Sequence, residues 1–204
     1  WSSRPTPGSR NLPTLCVIHG DHKRSIVGLS FSRTGEYVAT MGNDNNKSIA
    51  IYRWSSRGDK KLSDMRIGLD KGHNDAVYAL AYNPVTDHVV AVGKKFIRFF
   101  GIKEGVEEAR SDSRDAKLSE HESAIWAKKG VFGKAKVPSD IMCVDFANGG
   151  TDYDGTTFVG SAEGSILRFA EQATDYSVVA HPGGKVTALY FEPPRVNVHY
   201  GALI

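Results

Sequence analysis

The sequence has little cysteine and no long apolar stretch, and both shortages narrow the possible protein classes. Its 204 residues include only two cysteines, Cys16 and Cys143, and neither lies in a Cys-x-x-Cys or Cys/His spacing. We therefore expect no disulfide framework and no zinc site, but buried thiols in a reducing compartment. No apolar run approaches the roughly 20 residues of a membrane span. An initiator methionine and a signal-peptide pattern are also missing, so we expect a piece of a longer chain.

Net charge is also small, and its distribution is more informative than its total. A formal charge of +3 is too low to indicate a nucleic-acid partner. Residues 104–122 hold seven acids against three bases, which predicts a flexible surface insertion with too little apolar content to order itself. Four lysines follow without an intervening acid: Lys128, Lys129, Lys134 and Lys136.

Four segments share one pattern, in which apolar residues alternate toward an aromatic residue. Alternation with a period of two predicts β-strands. Two further strand-like runs follow each of the first three segments, and short Asn, Asp or Gly links between runs predict hairpins. A further polar strand is expected before the later segments. The four segments are SIVGLSFS (25–32), AVYALAYN (76–83), DIMCVDFA (140–147) and KVTALYFE (185–192).

Four short antiparallel strands per unit of about 40–45 residues predict an all-β fold, namely a β-propeller of the WD40 kind. We expect three blades and part of a fourth, within a larger ring that would cover two apolar blade faces left open here. The predicted divisions are a linker (1–14), the first blade (15–58), the second blade (59–103), the acidic insertion (104–122), the third blade (123–172) and a partial fourth blade (173–204).

Histidines before the strand segments predict a structural network within the blades. In WD40 blades such a histidine can bond to a Ser or Thr, a turn Asp and a strand aromatic. The second blade lacks the turn acid, and the third offers Glu163 instead, so the blades are degenerate. The predicted network residues are His22, Thr40, Asp44 and Tyr52 in the first blade, with His73 and His181 as counterparts.

The sequence offers no convincing catalytic or metal motif. HGDH (19–22) lacks the further ligands that a zinc site would need. GSAEG (160–164) lacks the GK[ST] ending of a phosphate loop, and no GxSxG elbow supports a Ser/His/Asp triad. We therefore expect no catalytic residue, no cofactor and no bound metal.

The order of the motifs is more specific than the repeat. The succession from Gly20 to Glu192 resembles the first propeller of the echinoderm microtubule-associated protein-like (EMAP-like) family, and KKGVFGKAK (128–136) is the most diagnostic element. The acidic insertion departs from the family pattern, as does the pair Phe99–Phe100 where a Trp would be typical.

The resemblance implies a non-catalytic cytoskeletal protein that contacts tubulin or microtubules, in the cytoplasm or in an axoneme. Other blades of the parent propeller and other cytoskeletal or axonemal proteins would be further partners, whereas a membrane and a nucleic acid would not. The alternative is a WD40 scaffold in a ciliary, trafficking or signalling complex without tubulin contact.

The lysine segment is the candidate partner-binding site. Tubulin is acidic, and a cluster formed by Lys128, Lys129, Lys134 and Lys136 would attract it in a salt-sensitive way. The alternative is that Val131 and Phe132 anchor a connection between blades and the lysines only solvate it.

Overall fold

A computed structural model describes residue 18 and the ranges 21–54, 66–105, 124–133, 136–150, 152–170, 175–192 and 202–203. The predicted linker, Cys16, Lys134 and residues 106–122 of the acidic insertion lie outside the described residues. Within the described ranges the regular secondary structure is strand throughout. No helix in them is both long and apolar enough to cross a bilayer.

Three four-stranded antiparallel sheets make up most of the described chain. The first sheet contains β1 (Ile26–Phe31), β2 (Tyr37–Gly42), β3 (Ile49–Arg53) and β4 (Arg66–Asp70). The second contains β5 (Val77–Tyr82), β6 (Val89–Gly93), β7 (Phe96–Ile102) and β8 (Ile125–Lys129). The third contains β9 (Ile141–Phe146), β10 (Thr157–Ser161), β11 (Ile166–Ala170) and β12 (Asp175–Ala180), and β13 (Phe191–Glu192) pairs with β14 (Ala202–Leu203). The predicted all-β class with four-stranded antiparallel units is confirmed.

The polar strand that precedes each later segment in the sequence belongs to the sheet before it. β4 pairs with β3, β8 pairs with β7, and β12 pairs with β11. Each sheet therefore ends one strand later than the repeat seen in the sequence. The apolar residues of β4 and β8 favour this pairing, because Ile67 and Ile125 are buried in the core that those sheets share.

The core consists of apolar layers between successive sheets. One layer joins the first and second sheets, and another joins the second and third sheets. β7 contributes to both layers: Phe96 and Phe100 face the first sheet, while Ile97 and Phe99 face the third. A strand covered on both faces needs apolar residues on both faces, and FIRFF provides them apart from Arg98, which lies near the loop-bearing end of the strand. Burying each such side chain contributes about 1.5–3 kcal/mol.

The face of the first sheet that points away from the second sheet is less buried than the face between them. Val27, Leu29 and Phe31 alternate along β1 and expose 41%, 54% and 50% of their surfaces. On the opposite face of β1, Gly28 lies against Leu80, and the Ser30 hydroxyl accepts a 2.9 Å hydrogen bond from the Tyr82 backbone N–H. An exposed apolar face of this type is what we expect of a propeller blade without a neighbour on that side.

The histidine network of the first sheet is built around one turn. The two ring nitrogens of His22 lie 2.8 Å from the hydroxyls of Ser48 and Thr40. The Ser48 hydroxyl also donates to the Asp44 carboxylate, which accepts backbone N–H bonds from Asn46 and Ser48. These hydrogen bonds lower the pKa of Asp44 in spite of its partial burial. Ser48, which the sequence analysis did not single out, is thus the link between His22 and Asp44.

Tyr52 joins the same network from β3. Its hydroxyl donates a 2.8 Å hydrogen bond to Asp21, and Asp21 also accepts a bond from Arg66 at 2.5 Å. Burial, with the neighbouring Asp21 carboxylate second, raises the pKa of Tyr52 to about 12, and a hydrogen bond with Thr40 opposes the shift. The four residues predicted for the first blade are therefore connected: Ser48 links His22 to Asp44, and Thr40 links His22 to Tyr52.

The counterparts in the other sheets are simpler. His73 stacks on Phe96 with ring centroids 4.1 Å apart. Its Nδ1 accepts a 3.1 Å hydrogen bond from the backbone N–H of Asp75. His181 is exposed, and its Nδ1 lies 3.0 Å from the Ser165 hydroxyl. Among the described residues, the full network is therefore found in the first sheet.

A second buried histidine lies in the core at the start of β6. His88 is 2% exposed, and its Nδ1 lies 2.6 Å from the Thr86 hydroxyl. Its ring faces Phe99 and Trp126, and no described residue bonds its Nε2. Burial, with the charge of Lys128 second, lowers the pKa of His88 to about 4.

We expect Ser48→Ala to lower the free energy of unfolding by about 1–3 kcal/mol, because it leaves polar atoms of His22 and Asp44 without a partner. Urea denaturation of the chain measures this change. Asn45→Ala, at an exposed position of the same turn, is the control and should change stability by less than about 0.5 kcal/mol. Equal effects of the two substitutions would contradict the linking role of Ser48.

We expect acid to destabilise the fold through His88. His88 takes up a proton near pH 6.5 in the unfolded chain but near pH 4 in the folded chain. The free energy of unfolding therefore falls as pH is lowered from 6.5 to 4. At pH 5 the loss from this residue is about 2 kcal/mol. His88→Phe should flatten the decline in unfolding free energy between pH 7 and pH 5. An unchanged slope in this variant would show that other groups cause the decline.

Candidate functional site

One edge of the three sheets carries a series of charged loops. We call it the loop edge, and it comprises residues 43–48, 71–76, 94–95, 130–133 with 136–140, and 162–165. These segments meet because antiparallel strands of equal length bring alternate connections to the same side. Hydrogen bonds connect neighbouring loops: the Lys95 N–H donates to the Ser139 carbonyl at 3.0 Å, and the Ser139 N–H donates to the Glu163 carboxylate at 2.6 Å.

The predicted lysines reach this edge, but they do not point the same way. Lys128 and Lys129 are the last residues of β8, and successive side chains of a strand face opposite sides. The Lys128 ammonium lies 5.3 Å from the Trp126 ring, on the side of the third sheet. Lys129 lies on the side of the first sheet. Lys136 is exposed on the β8–β9 connection.

The apolar pair within the lysine segment does anchor a connection between sheets. Phe132 is 8% exposed and packs edge-on against Phe169 of the third sheet, with ring centroids 5.4 Å apart. The Gly130 N–H donates to the Ile97 carbonyl at 2.9 Å. Val131, in contrast, is 52% exposed. Phe132 therefore anchors the connection between sheets, as the alternative hypothesis expects, whereas Val131 does not. The role of the lysines stays a prediction.

A polar cavity of about 330 Å³ opens on the loop edge between the first and second sheets. Its wall brings Lys129 together with two cations that the sequence analysis did not single out, because the strand register that places them there is not visible in the sequence. The residues that matter for its chemistry are Lys71, Gly72, His73, Asp75, Arg98 and Lys129. We call this site the cationic cavity.

Arg98 and Lys129 are direct cross-strand partners on β7 and β8. Like charges in this position destabilise a strand pair unless other groups compensate. Arg98 is held in place by the backbone at the end of β4, because its Nη1 donates to the carbonyls of Lys71, at 3.3 Å, and Gly72. No described residue accepts a hydrogen bond from the buried Nε of Arg98.

Gly72 sets the close approach of the cavity wall to the first sheet. A Cβ atom at this position would lie 1.9 Å from the Lys47 carbonyl oxygen, in the β2–β3 turn. A larger residue would therefore push the wall away from that turn and move the carbonyl that holds Arg98. Gly72, which directly precedes His73, thus has a packing role here and positions the cavity.

His73 presents a neutral ring to the cationic cavity. Burial lowers its pKa, the positive charges of Arg98 and Lys129 lower it further, and Asp75 opposes the change. Since Nδ1 accepts a bond from the backbone N–H of Asp75, the ring proton lies on Nε2. Asp75 is the one acid among the lining residues, against the three cations Lys71, Arg98 and Lys129. The site therefore carries an excess of positive charge.

The next junction along the loop edge, between the second and third sheets, has a carboxylate beside its cations. Asp140 accepts a 2.7 Å hydrogen bond from the Tyr78 hydroxyl and pairs through its backbone with Lys94. The Tyr78 hydrogen bond is the main cause that lowers the pKa of Asp140, and Lys94 and Lys185 add to it. An acid thus lies beside the cations between the second and third sheets, whereas in the cationic cavity the single acid Asp75 is set against three cations.

Neither a metal site nor a reactive thiol is found in the described part of the chain. No three potential metal ligands cluster there, and Asp21 and His22 of the HGDH motif are engaged in the first-sheet network. Cys143 is buried in β9, where its thiol donates weakly to the Val186 carbonyl at 3.7 Å. Burial raises the pKa of Cys143, which disfavours the nucleophilic thiolate.

Comparison with curated proteins finds relatives among the EMAP-like proteins, although no family model matches the chain. The human echinoderm microtubule-associated protein-like 3 is 26% identical over 187 residues, which is 90% of this chain and 18% of that protein. The human echinoderm microtubule-associated protein-like 1 is 26% identical over 86% of this chain and 19% of its own length. Xenopus laevis echinoderm microtubule-associated protein-like 4 is 25% identical over 96% of this chain. The chain spans about a fifth of the length of these relatives.

Solved structures support the fold. The computationally designed Ika4 protein superposes with a TM-score of 0.58 at 17% identity and covers 95% of this chain and 98% of its own. The β-propeller domain of Myceliophteria thermophila Cps50 (Swd1) gives a TM-score of 0.50 at 14% identity, over 84% of this chain and 47% of its own. The chain is thus similar in sequence to EMAP-like proteins, and its fold is that of WD40-like propeller blades.

Proposed function

We propose that this chain is a non-catalytic, microtubule-associated part of an EMAP-like protein and that its loop edge contacts tubulin. The observation that carries the proposal is the sequence similarity to proteins named as microtubule-associated, which extends over 86–96% of the chain. The cytoskeleton of the cytoplasm is the expected location. Axonemal microtubules would offer the same kind of acidic surface.

The geometry of the loop edge supports an electrostatic contact. Exposed lysines lie on several of its loops, among them Lys71, Lys94, Lys95 and Lys136. Stacked sheets with shared apolar layers hold these loops at fixed positions. A rigid array of cations suits a repetitive acidic lattice, because weak contacts gain strength when many form at once.

A binding role also fits the state of the reactive side chains. His22 is engaged in hydrogen bonds within the fold, and Cys143 is a buried thiol with a raised pKa. Function must be argued from a site, and propellers accommodate many partners. The second candidate is therefore a scaffold without tubulin contact.

We expect the chain to co-sediment with microtubules in a salt-sensitive manner. The double substitution Lys128→Glu with Lys136→Glu should weaken binding about 3- to 10-fold at low salt, because it reverses one charge next to the loop edge, at the end of β8, and one charge on it, both outside the cationic cavity. The difference should shrink at higher salt, as the Debye length falls from about 10 Å at 0.1 M to about 3 Å at 1 M. Pelleting without microtubules is subtracted throughout.

The matched control is Arg33→Glu with Lys103→Glu, which reverses two exposed charges at the opposite edge of the sheets. This variant should bind within about twofold of the unmodified chain. Equal losses in both double variants would remove the loop edge as the contact surface. If the folded chain does not pellet at low salt, tubulin contact is wrong and the scaffold function is favoured.

A further inference from the structure

We propose that the cationic cavity binds the oxyanion groups of an acidic peptide, either the carboxylates of neighbouring Glu or Asp residues or the phosphate of a phosphorylated residue. The site goes beyond the proposed function, because it can bind such a peptide whether or not the chain contacts tubulin. Its key residues are Lys71, Arg98 and Lys129, with His73 as a neutral donor.

The first argument is the unbalanced charge. Arg98 and Lys129 face each other across β7 and β8, and Lys71 lies at the same opening. Asp75 is the single lining acid, and its carboxylate lies 3.7 Å from His73. The cavity therefore has an excess of two positive charges, which a pair of carboxylates or one phosphate dianion would neutralise.

The second argument is the arrangement of donors. Backbone carbonyls of Lys71 and Gly72 fix the Arg98 guanidinium. Its side chain therefore loses little conformational entropy when a ligand binds. The neutral His73 ring adds an Nε2 proton, and stacking on Phe96 holds that ring in place. Lys71 and Lys129 are exposed at the rim and can adjust to the ligand.

The third argument concerns size and surroundings. A cavity of about 330 Å³ lies at the lower end of the range of ligand pockets, roughly 300–1,000 Å³, and is several times larger than one oxyanion needs. It can therefore hold whole acidic side chains. Nucleic acid would require an aromatic face for base stacking, and the one aromatic ring in the lining, His73, is already stacked on Phe96. A peptide is the occupant that these features favour.

The experiment is fluorescence anisotropy with three labelled peptides of equal length. One carries six glutamates, one carries a single phosphoserine among glycines and serines, and one carries glutamines in place of the glutamates. We expect the glutamate or the phosphoserine peptide to bind and the glutamine peptide not to bind. Inorganic phosphate should compete with the peptide that binds. Comparing the glutamate and phosphoserine arms identifies which oxyanion the cavity prefers.

The test variant is Lys71→Gln with Lys129→Gln, which removes two exposed cations from the cavity and should weaken binding at least tenfold. The control variant is Lys136→Gln with Lys185→Gln, which removes two exposed lysines elsewhere and should change binding less than twofold. Lys129→Arg keeps the charge and should bind within about threefold of the unmodified chain. Both double variants avoid Arg98, which the fold holds through backbone bonds.

Two results would overturn the proposal. One is that neither acidic peptide binds the folded chain in 50 mM salt, and the other is that the control variant loses as much affinity as the cavity variant. Microtubule pelleting is a separate measurement. Retained pelleting without peptide binding would reject the cavity alone, and peptide binding without pelleting would reject tubulin contact alone.

Discussion

Face-to-face packing of the sheets is the constraint on which the other features depend. Strand β7 shows it most directly, since Phe96 and Phe100 are buried against one neighbouring sheet and Ile97 and Phe99 against the other. With both faces covered, the strand has no freedom to slide by one residue, because a slip would exchange the two faces. The fixed register then dictates which side chains emerge at the strand ends, including Arg98 beside Lys129.

The two junctions between sheets use their polar residues differently. Between the second and third sheets, Asp140 accepts a hydrogen bond from the Tyr78 hydroxyl and lies beside Lys94. A carboxylate is therefore present to compensate positive charge at this junction. Between the first and second sheets, Arg98 instead donates to backbone carbonyls, which are weaker partners than a carboxylate. The junction between the second and third sheets, which has its own carboxylate, thus lies next to the junction between the first and second sheets, which can still bind an anionic partner.

Alternation in the sequence predicted β1, β5 and β9, whereas the fourth segment (185–192) forms strand only at Phe191–Glu192, and the cavity was not predicted. Alternation toward Phe31, Tyr82 and Phe146 is a local signal, and so is the spacing of His22, Thr40 and Asp44. The cavity depends on non-local register: Arg98 and Lys129 are 31 positions apart in a sequence that contains the acidic insertion between them. Charge counting along the chain therefore grouped Lys129 with Lys128, although the pleat of β8 sends these two side chains to opposite faces.

The pairing of β4 with β3, and of β8 with β7, means that the unit of sequence repetition and the unit of folding are out of phase by one strand. Duplication of a sequence repeat would not add a self-contained blade. The added repeat would contribute three strands to a new sheet, and its first strand, the polar one, would pair with the sheet before it. In a protein that grew by duplication of this repeat, each blade would therefore draw its four strands from two successive copies.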